Sequence, residues 1–106
     1  MAWKITFFNQ KVQDETYKFP AGILADFLHI AELVEEFGAN LGNPCTKSLG
    51  NGLFEIRAKG KEGIGRSLFC FAKGQEVIIL HSFIKKSQKT PKKEIDIALK
   101  RMKGIK

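Results

Sequence analysis

Leu53-Phe-Glu-Ile-Arg-Ala-Lys59, Arg66-Ser-Leu-Phe-Cys-Phe-Ala-Lys73 and Glu76-Val-Ile-Ile-Leu-His-Ser-Phe-Ile84 decide the fold. In the first, Phe54, Ile56 and Ala58 point one way and Glu55, Arg57 and Lys59 the other, the period-two pattern of a strand. The third is apolar almost throughout, which predicts a strand central in the sheet and covered on at least part of both faces. Gly60 to Gly65 is a glycine-rich, charged turn, and Lys73-Gly74-Gln75 is a tight hairpin turn, so the three strands follow one another antiparallel.

Upstream, polar Lys4 and Thr6 alternate with Trp3, Ile5 and Phe7, predicting a strand over Trp3 to Phe8. Asn9 to Lys18 is polar and reads as a loop. Pro20 suits a first helical turn, where its missing N–H costs nothing. Ile23, Phe27, Ile30, Val34 and Phe37 then recur every three or four residues, with Leu24, Leu28 and Ala31 widening the stripe, the signature of an amphipathic helix. Gly38 is placed to end it. Ala39 to Gly52, rich in Gly, Asn, Pro and Ser, reads as a connecting loop. Downstream, Lys85 to Lys89 is a basic linker. Thr90 and Pro91 suit a helix cap and first position. Ile95, Ala98, Leu99 and Met102 give the last helix its apolar face. The expected fold is α+β: an N-terminal strand, a long helix, a three-stranded antiparallel sheet and a C-terminal helix, in one domain spanning residues 1–106.

A chain of 106 residues fits one modest core, and nine phenylalanines among the aromatic residues make that core Phe-rich. The sequence contains no apolar run of the roughly 18 residues that a membrane span needs, and Met1-Ala2-Trp3-Lys4-Ile5 lacks a signal-peptide layout, so a cytoplasmic location without a membrane partner is expected. Cys45 and Cys70 suit a reducing compartment as two thiols. The net charge is +7, and residues 85–106 carry nine basic against two acidic side chains, so the whole excess sits in the last fifth of the chain. Residues 1–46 hold three basic and six acidic groups. One region attracts polyanions and another repels them, as on an oriented binding surface. A solvated, lysine-rich terminal helix explains the charge alone equally well.

Soft metal ligands are few: His29, His81, Cys45 and Cys70 stand at none of the short spacings of structural zinc, and the carboxylates of the basic half are scattered. No metal and no cofactor are expected. Gly50-Asn51-Gly52 and Gly60 to Gly65 lack the lysine and the strand–turn–helix context of a phosphate loop and are turns. What remains is cationic. Arg57 and Arg66 lie on strands that pair as a hairpin, His81 on the strand beside the second, and Lys85, Lys86 and Lys89 beyond it. Such a set suits RNA cleavage without metal, in which the 2′-hydroxyl attacks its own phosphate. That reaction needs a proton acceptor, a proton donor and positive charge on the phosphorane. Arginine forks match phosphate oxygens in pairs, and histidine is the side-chain type whose reference pKa lies near neutral, which makes His81 the natural acid or base. Arg57, Arg66, His81, Lys85 and Lys86 are therefore candidate catalytic residues. Lys59, Lys61, Lys89, Lys92 and Lys93 are candidate RNA-binding residues. The plainer alternative is solvated strand cations and a packed histidine.

Leu49 to Arg66, L-G-N-G-L-F-E-I-R-A-K-G-K-E-G-I-G-R, and Val77 to Ile95, V-I-I-L-H-S-F-I-K-K-S-Q-K-T-P-K-K-E-I, resemble the phage-derived Gp49-like, HigB-like branch of the RelE toxin superfamily. The family's L-(F/Y/W)-E-(I/L)-R segment matches Leu53 to Arg57, its later arginine Arg66, and its L-H-x-F-x-K-K-(T/S)-x-K-T-P block Leu80 to Pro91. The resemblance implies a compact RelE-like domain. It implies the toxin of a type II toxin–antitoxin system, cleaving messenger RNA while it sits in the ribosome and so inhibiting translation. It also implies a HigA-like helix-turn-helix antitoxin as partner, in a toxin–antitoxin hetero-oligomer. By the same resemblance, Arg57 and Arg66 bind phosphate and stabilise the transition state, while His81, Lys85, Lys86 and Lys89 line the substrate side. Better-known members of the superfamily carry a lysine where Glu55 stands and a tyrosine near the last helix. The one tyrosine here is Tyr17, which leaves His81 or a lysine as the proton acceptor. A non-catalytic RNA- or ribosome-binding module and a phage-derived structural protein are the alternative functions.

Overall fold

The computed structural model describes residues 3–38, 41–42, 44–85 (backbone only at 85) and 89–105. The elements run β1 (Lys4–Phe7), α1 (Gln10–Tyr17), α2 (Ala21–Phe37), β2 (Thr46–Gly50), β3 (Leu53–Gly60), β4 (Gly63–Ala72), β5 (Glu76–Lys85) and α3 (Lys92–Lys103). The sheet has five strands in the order β1-β5-β4-β3-β2, with β1 parallel to β5 and the rest antiparallel. The three expected strands are its centre. β4 is the middle strand, and β5, expected to be central, lies between β4 and β1.

Two segments that read as loops are ordered. Asn9 to Lys18 contains α1, whose polar sequence hides a single buried edge. The Asn9 side chain accepts from the Val12 N–H at 2.9 Å and caps the helix. Val12 and Thr16, one turn apart, are buried. The Thr16 hydroxyl is hydrogen-bonded to Ser82 of β5 at 2.6 Å, and Ser82 to Ser67 of β4 at 2.9 Å, a chain of hydroxyls that fastens α1 to the sheet. β2 lies inside the second expected loop. It is short and polar, and its ladder with β3 makes it a strand rather than any alternation of its own.

Both faces of the sheet are covered. On one, Ile23, Phe27, Ile30 and Val34 of α2 pack with Val12, Ile56, Ala58, Phe69, Val77 and Ile79. On the other, Ala98 of α3 packs with Leu53, Leu68, Cys70, Ile78 and Leu80, flanked by Ile95, Leu99 and Met102. Cys45 and Cys70 are both free thiols, and burial pushes the Cys70 thiol pKa up.

The start of α2 is fixed by the β3–β4 hairpin. Pro20 caps α2 without a side-chain hydrogen bond. The Gly22 N–H instead donates to the Glu62 carboxylate at 3.1 Å, which holds the Glu62 pKa below the usual carboxylate value. Lys59 N–H donates to Asp26 at 2.7 Å. These contacts need backbone on backbone: a Cβ at Gly60 would meet Ile23 N at 2.6 Å and the Gly22 carbonyl carbon at 2.7 Å. Among the described residues, no helix is long and apolar enough to cross a membrane.

Gly60→Ala is expected to lower stability by about 1–3 kcal/mol, because neither backbone can yield. Gly104→Ala, where the nearest atom to the added carbon is Arg101 O at 3.4 Å, is expected to be close to neutral. Denaturant midpoints of the two variants check this, and equal midpoints would contradict it.

Candidate functional site

Strand register builds the site. Lys47, Glu55, Leu68 and His81 stand opposite one another on β2, β3, β4 and β5. The next row holds Arg57, Arg66 and Phe83, and the one after it Lys59, Ile64 and the Lys85 backbone. Directly opposed residues point to the same face, so Arg57 and Arg66 share a side, the side covered by α3.

His81 reaches that side because β5 carries a bulge. Leu68 pairs with His81 but Phe69 pairs with Ile79, so Leu80 is an extra residue. An extra residue inverts the alternation beyond it. Ile78 and Leu80 face α3 before the bulge. After it, His81 faces α3 as well, and its Nε2 lies 2.7 Å from the Glu94 carboxylate in the first turn of α3. Without the bulge His81 would point into the core under α2.

At the centre of the face is Glu55, fully buried. Its Oε1 accepts from Arg66 Nη1 at 2.5 Å and lies 3.3 Å from Arg57 Nε, an ion-pair contact without hydrogen-bond geometry. Its Oε2 accepts from the Thr90 hydroxyl. Thr90 is therefore not the cap of α3. The helix begins after Pro91 without a side-chain cap, and the Thr90 hydroxyl ties the approach to α3 down onto the sheet. The Arg101 guanidinium, donating to the Leu80 carbonyl at 2.6 Å, holds the helix's far end. A buried carboxylate requires opposite charge and hydrogen bonds, and Glu55 has both.

Above Glu55 lies a cleft of about 450 Å³, lined by Lys47, Leu49, Arg57, Arg66, Lys89, Thr90, Lys92 and Ile95. Among the described residues, every charged side chain on its wall is cationic. The Arg57 side chain is 28% exposed and that of Arg66 only 3%. Arg57 is thus the guanidinium a ligand meets first, and Arg66 lies beneath it with Nε unpaired among the described residues.

Of the residues singled out in the sequence, the cleft brings together Arg57, Arg66, Lys89 and Lys92. Lys59, Lys61 and Lys93 are exposed outside its lining. His81 is 8% exposed and engaged by Glu94 behind the cleft. Its ring stacks on Phe83, and its Nδ1 has no partner among the described residues. Lys86 and the Lys85 side chain lie outside the described residues. Lys47 and the joint role of Glu55 and Thr90 are not foreseen in the sequence, because β2 carries no alternation of its own and the Glu55–Thr90 contact spans 35 positions. The available signal was the strand face Leu53, Glu55, Arg57: a carboxylate between an apolar residue and an arginine, on a sheet about to receive a second helix.

The fold is RelE-like and the cleft has the charge of a polyanion site. The archaeal RelE–RelB complex from Pyrococcus horikoshii superposes with a TM-score of 0.54 at 16% identity, over 79% of this chain and 96% of that one. Residues 14–103 match the phage-derived protein Gp49-like family, and the chain belongs to it. No curated protein matches the sequence.

Glu55→Ala leaves Arg66 buried without its carboxylate and is expected to cost about 3–5 kcal/mol of stability. Glu55→Gln, which keeps an acceptor, should cost less. Chemical denaturation measures both, and a wild-type midpoint for Glu55→Ala would contradict the pairing.

Proposed function

We propose that this chain is the toxin of a type II toxin–antitoxin pair, an endoribonuclease that cuts messenger RNA on the ribosome without a metal. The observation that carries the reading is the pair Arg57 and Arg66, opposed in register on the floor of a cleft whose described charged groups are all cationic, and held there by one buried carboxylate. Membership of the Gp49-like family and the RelE-like fold support it.

In this reading a phosphodiester enters over Arg57, with Lys47, Lys89 and Lys92 taking neighbouring phosphates. The 2′-hydroxyl oxygen attacks the adjacent phosphorus. Negative charge grows on the non-bridging oxygens, which the partly exposed Arg57 guanidinium binds, and Arg66 beneath it adds to the positive field. The P–O5′ bond then breaks, leaving a 2′,3′-cyclic phosphate on one fragment and a 5′-hydroxyl on the other. Prepositioned guanidiniums suit this step because fixed dipoles and charges need no rearrangement as the transition state forms. His81, one diagonal step from Arg66 across β4 and β5, is the proton-transfer group. For His81 to act, RNA must take the place of Glu94 at Nε2. The partner is a helix-turn-helix antitoxin, and the pair forms a hetero-oligomer.

One observation favours a second reading, a module that binds RNA or ribosome and blocks translation by occupancy: in this arrangement Glu94, and not the cleft, engages His81. The two separate on one experiment. Brief induction is expected to produce new 5′ ends within translated messages, and Arg57→Ala, folded by circular dichroism, is expected to reduce them about 10²–10³-fold, the loss typical of one missing transition-state donor. Growth arrest by the wild-type chain with no new ends would overturn cleavage in favour of occupancy.

A further inference from the structure

Helix α2 carries more apolar surface than the sheet covers. Ile23, Phe27, Ile30 and Val34 are buried against it, but Leu28, on the flank of that stripe, is 41% exposed. Tyr17, at the end of α1, is 48% exposed and lies 6.0 Å from the Phe7 ring. With Ile5, Phe27 and Ala31 these residues line a groove of about 390 Å³ between β1, α1 and α2, and Glu32 and Glu35 complete its wall. The groove is lined from the α2 face of the sheet and the outer strand β1, whereas the cationic cleft lies on the α3 face. None of the chemistry argued for the cleft uses it.

Its charge selects among occupants. Residues 1–46 carry six acidic and three basic side chains, and the two charged groups lining the groove are both carboxylates. A polyanion is repelled there. An added strand finds the edge of β1 already engaged, because Trp3 N–H donates to the Glu35 carbonyl at 2.7 Å and Ile5 N–H to the Glu35 carboxylate at 3.4 Å. A second copy docking isologously by this face would bring α2 and its carboxylates against themselves. The chain's own basic helix, α3, has its apolar face spent on the sheet. The occupant that fits is a helix with an apolar stripe for Leu28, Ala31 and Phe7 and cations at its margins for Glu32 and Glu35.

We propose that this groove is the docking site for a basic amphipathic helix of a partner protein. Resting on the functional reading above, that partner is the antitoxin. Leu28 fills the centre of the contact, and Glu32 and Glu35 set its orientation. The site is separate from the RNA cleft, so partner affinity and RNA cleavage are controlled by different residues.

The test is isothermal titration of the full chain with the purified product of the adjacent gene, where that gene encodes a helix-turn-helix protein. Leu28→Glu and Glu32→Lys, both at exposed positions, are expected to weaken binding at least tenfold each while leaving messenger cleavage unchanged. Wild-type affinity in both variants would overturn the groove as the docking site. A second probe separates this from the antitoxin reading: a leucine-striped, lysine-flanked helical peptide, with its glutamate-flanked counterpart as control. If the neighbouring protein does not bind the wild-type chain, the antitoxin reading fails. The groove then stands if the lysine-flanked peptide alone shifts the amide resonances of Ile5, Tyr17, Leu28 and Ala31, and falls if neither peptide does.

Discussion

Glu55 places a full negative charge where water cannot reach it, and the α3 side of the sheet is arranged around that fact. An isolated buried carboxylate is prohibitively costly, so the fold must bring cations to it. Arg66 comes from the neighbouring strand and Arg57 from two residues along the same strand, and both are obliged to point to the covered face. Thr90 supplies the remaining hydrogen bond, which fixes where the chain crosses from β5 to α3. One carboxylate thereby sets the positions of two guanidiniums and of the approach to the last helix.

The same arrangement explains how a densely cationic cleft is tolerated. Arg57 and Arg66 stand directly opposite each other on paired strands, an arrangement that repels when unscreened. Glu55 screens them from below and leaves the upper side open to an anion. The cleft is therefore preorganised: its positive charge is held in place before any phosphate arrives, and the cost of gathering it is met in folding. The acidic groups of α2 lie off on the opposite face, so one side of the molecule attracts a polyanion and the other repels it.

Much of this was legible in the sequence, and the limits were physical. The period-two alternation of Leu53 to Lys59 and the 3.6-residue stripe of Ile23 to Val34 located the β3 strand and α2, because the faces they pack against each other are apolar, while the second face of β3 is also covered and buries Leu53 and Glu55. α1 buries only Val12 and Thr16, and β2 is held by its ladder, so neither carries such a pattern. The shared face of Arg57 and Arg66 follows from hairpin register, which the turn between them made readable. The orientation of His81 depends on a one-residue bulge at Leu80, and nothing in an apolar run marks where a bulge falls. The capping role expected of Thr90 failed because a local preference was overridden by a carboxylate 35 positions away in sequence.

The central claim is that the cationic floor over Glu55 drives attack by the message's own 2′-hydroxyl. It is tested most directly by a ribosome-bound message with a single 2′-deoxy nucleotide at the scissile position. Cleavage at that position should disappear, while the all-ribose message should yield a 2′,3′-cyclic phosphate and a 5′-hydroxyl. Cutting of the deoxy message, or fragments bearing a 5′-phosphate, would contradict the account.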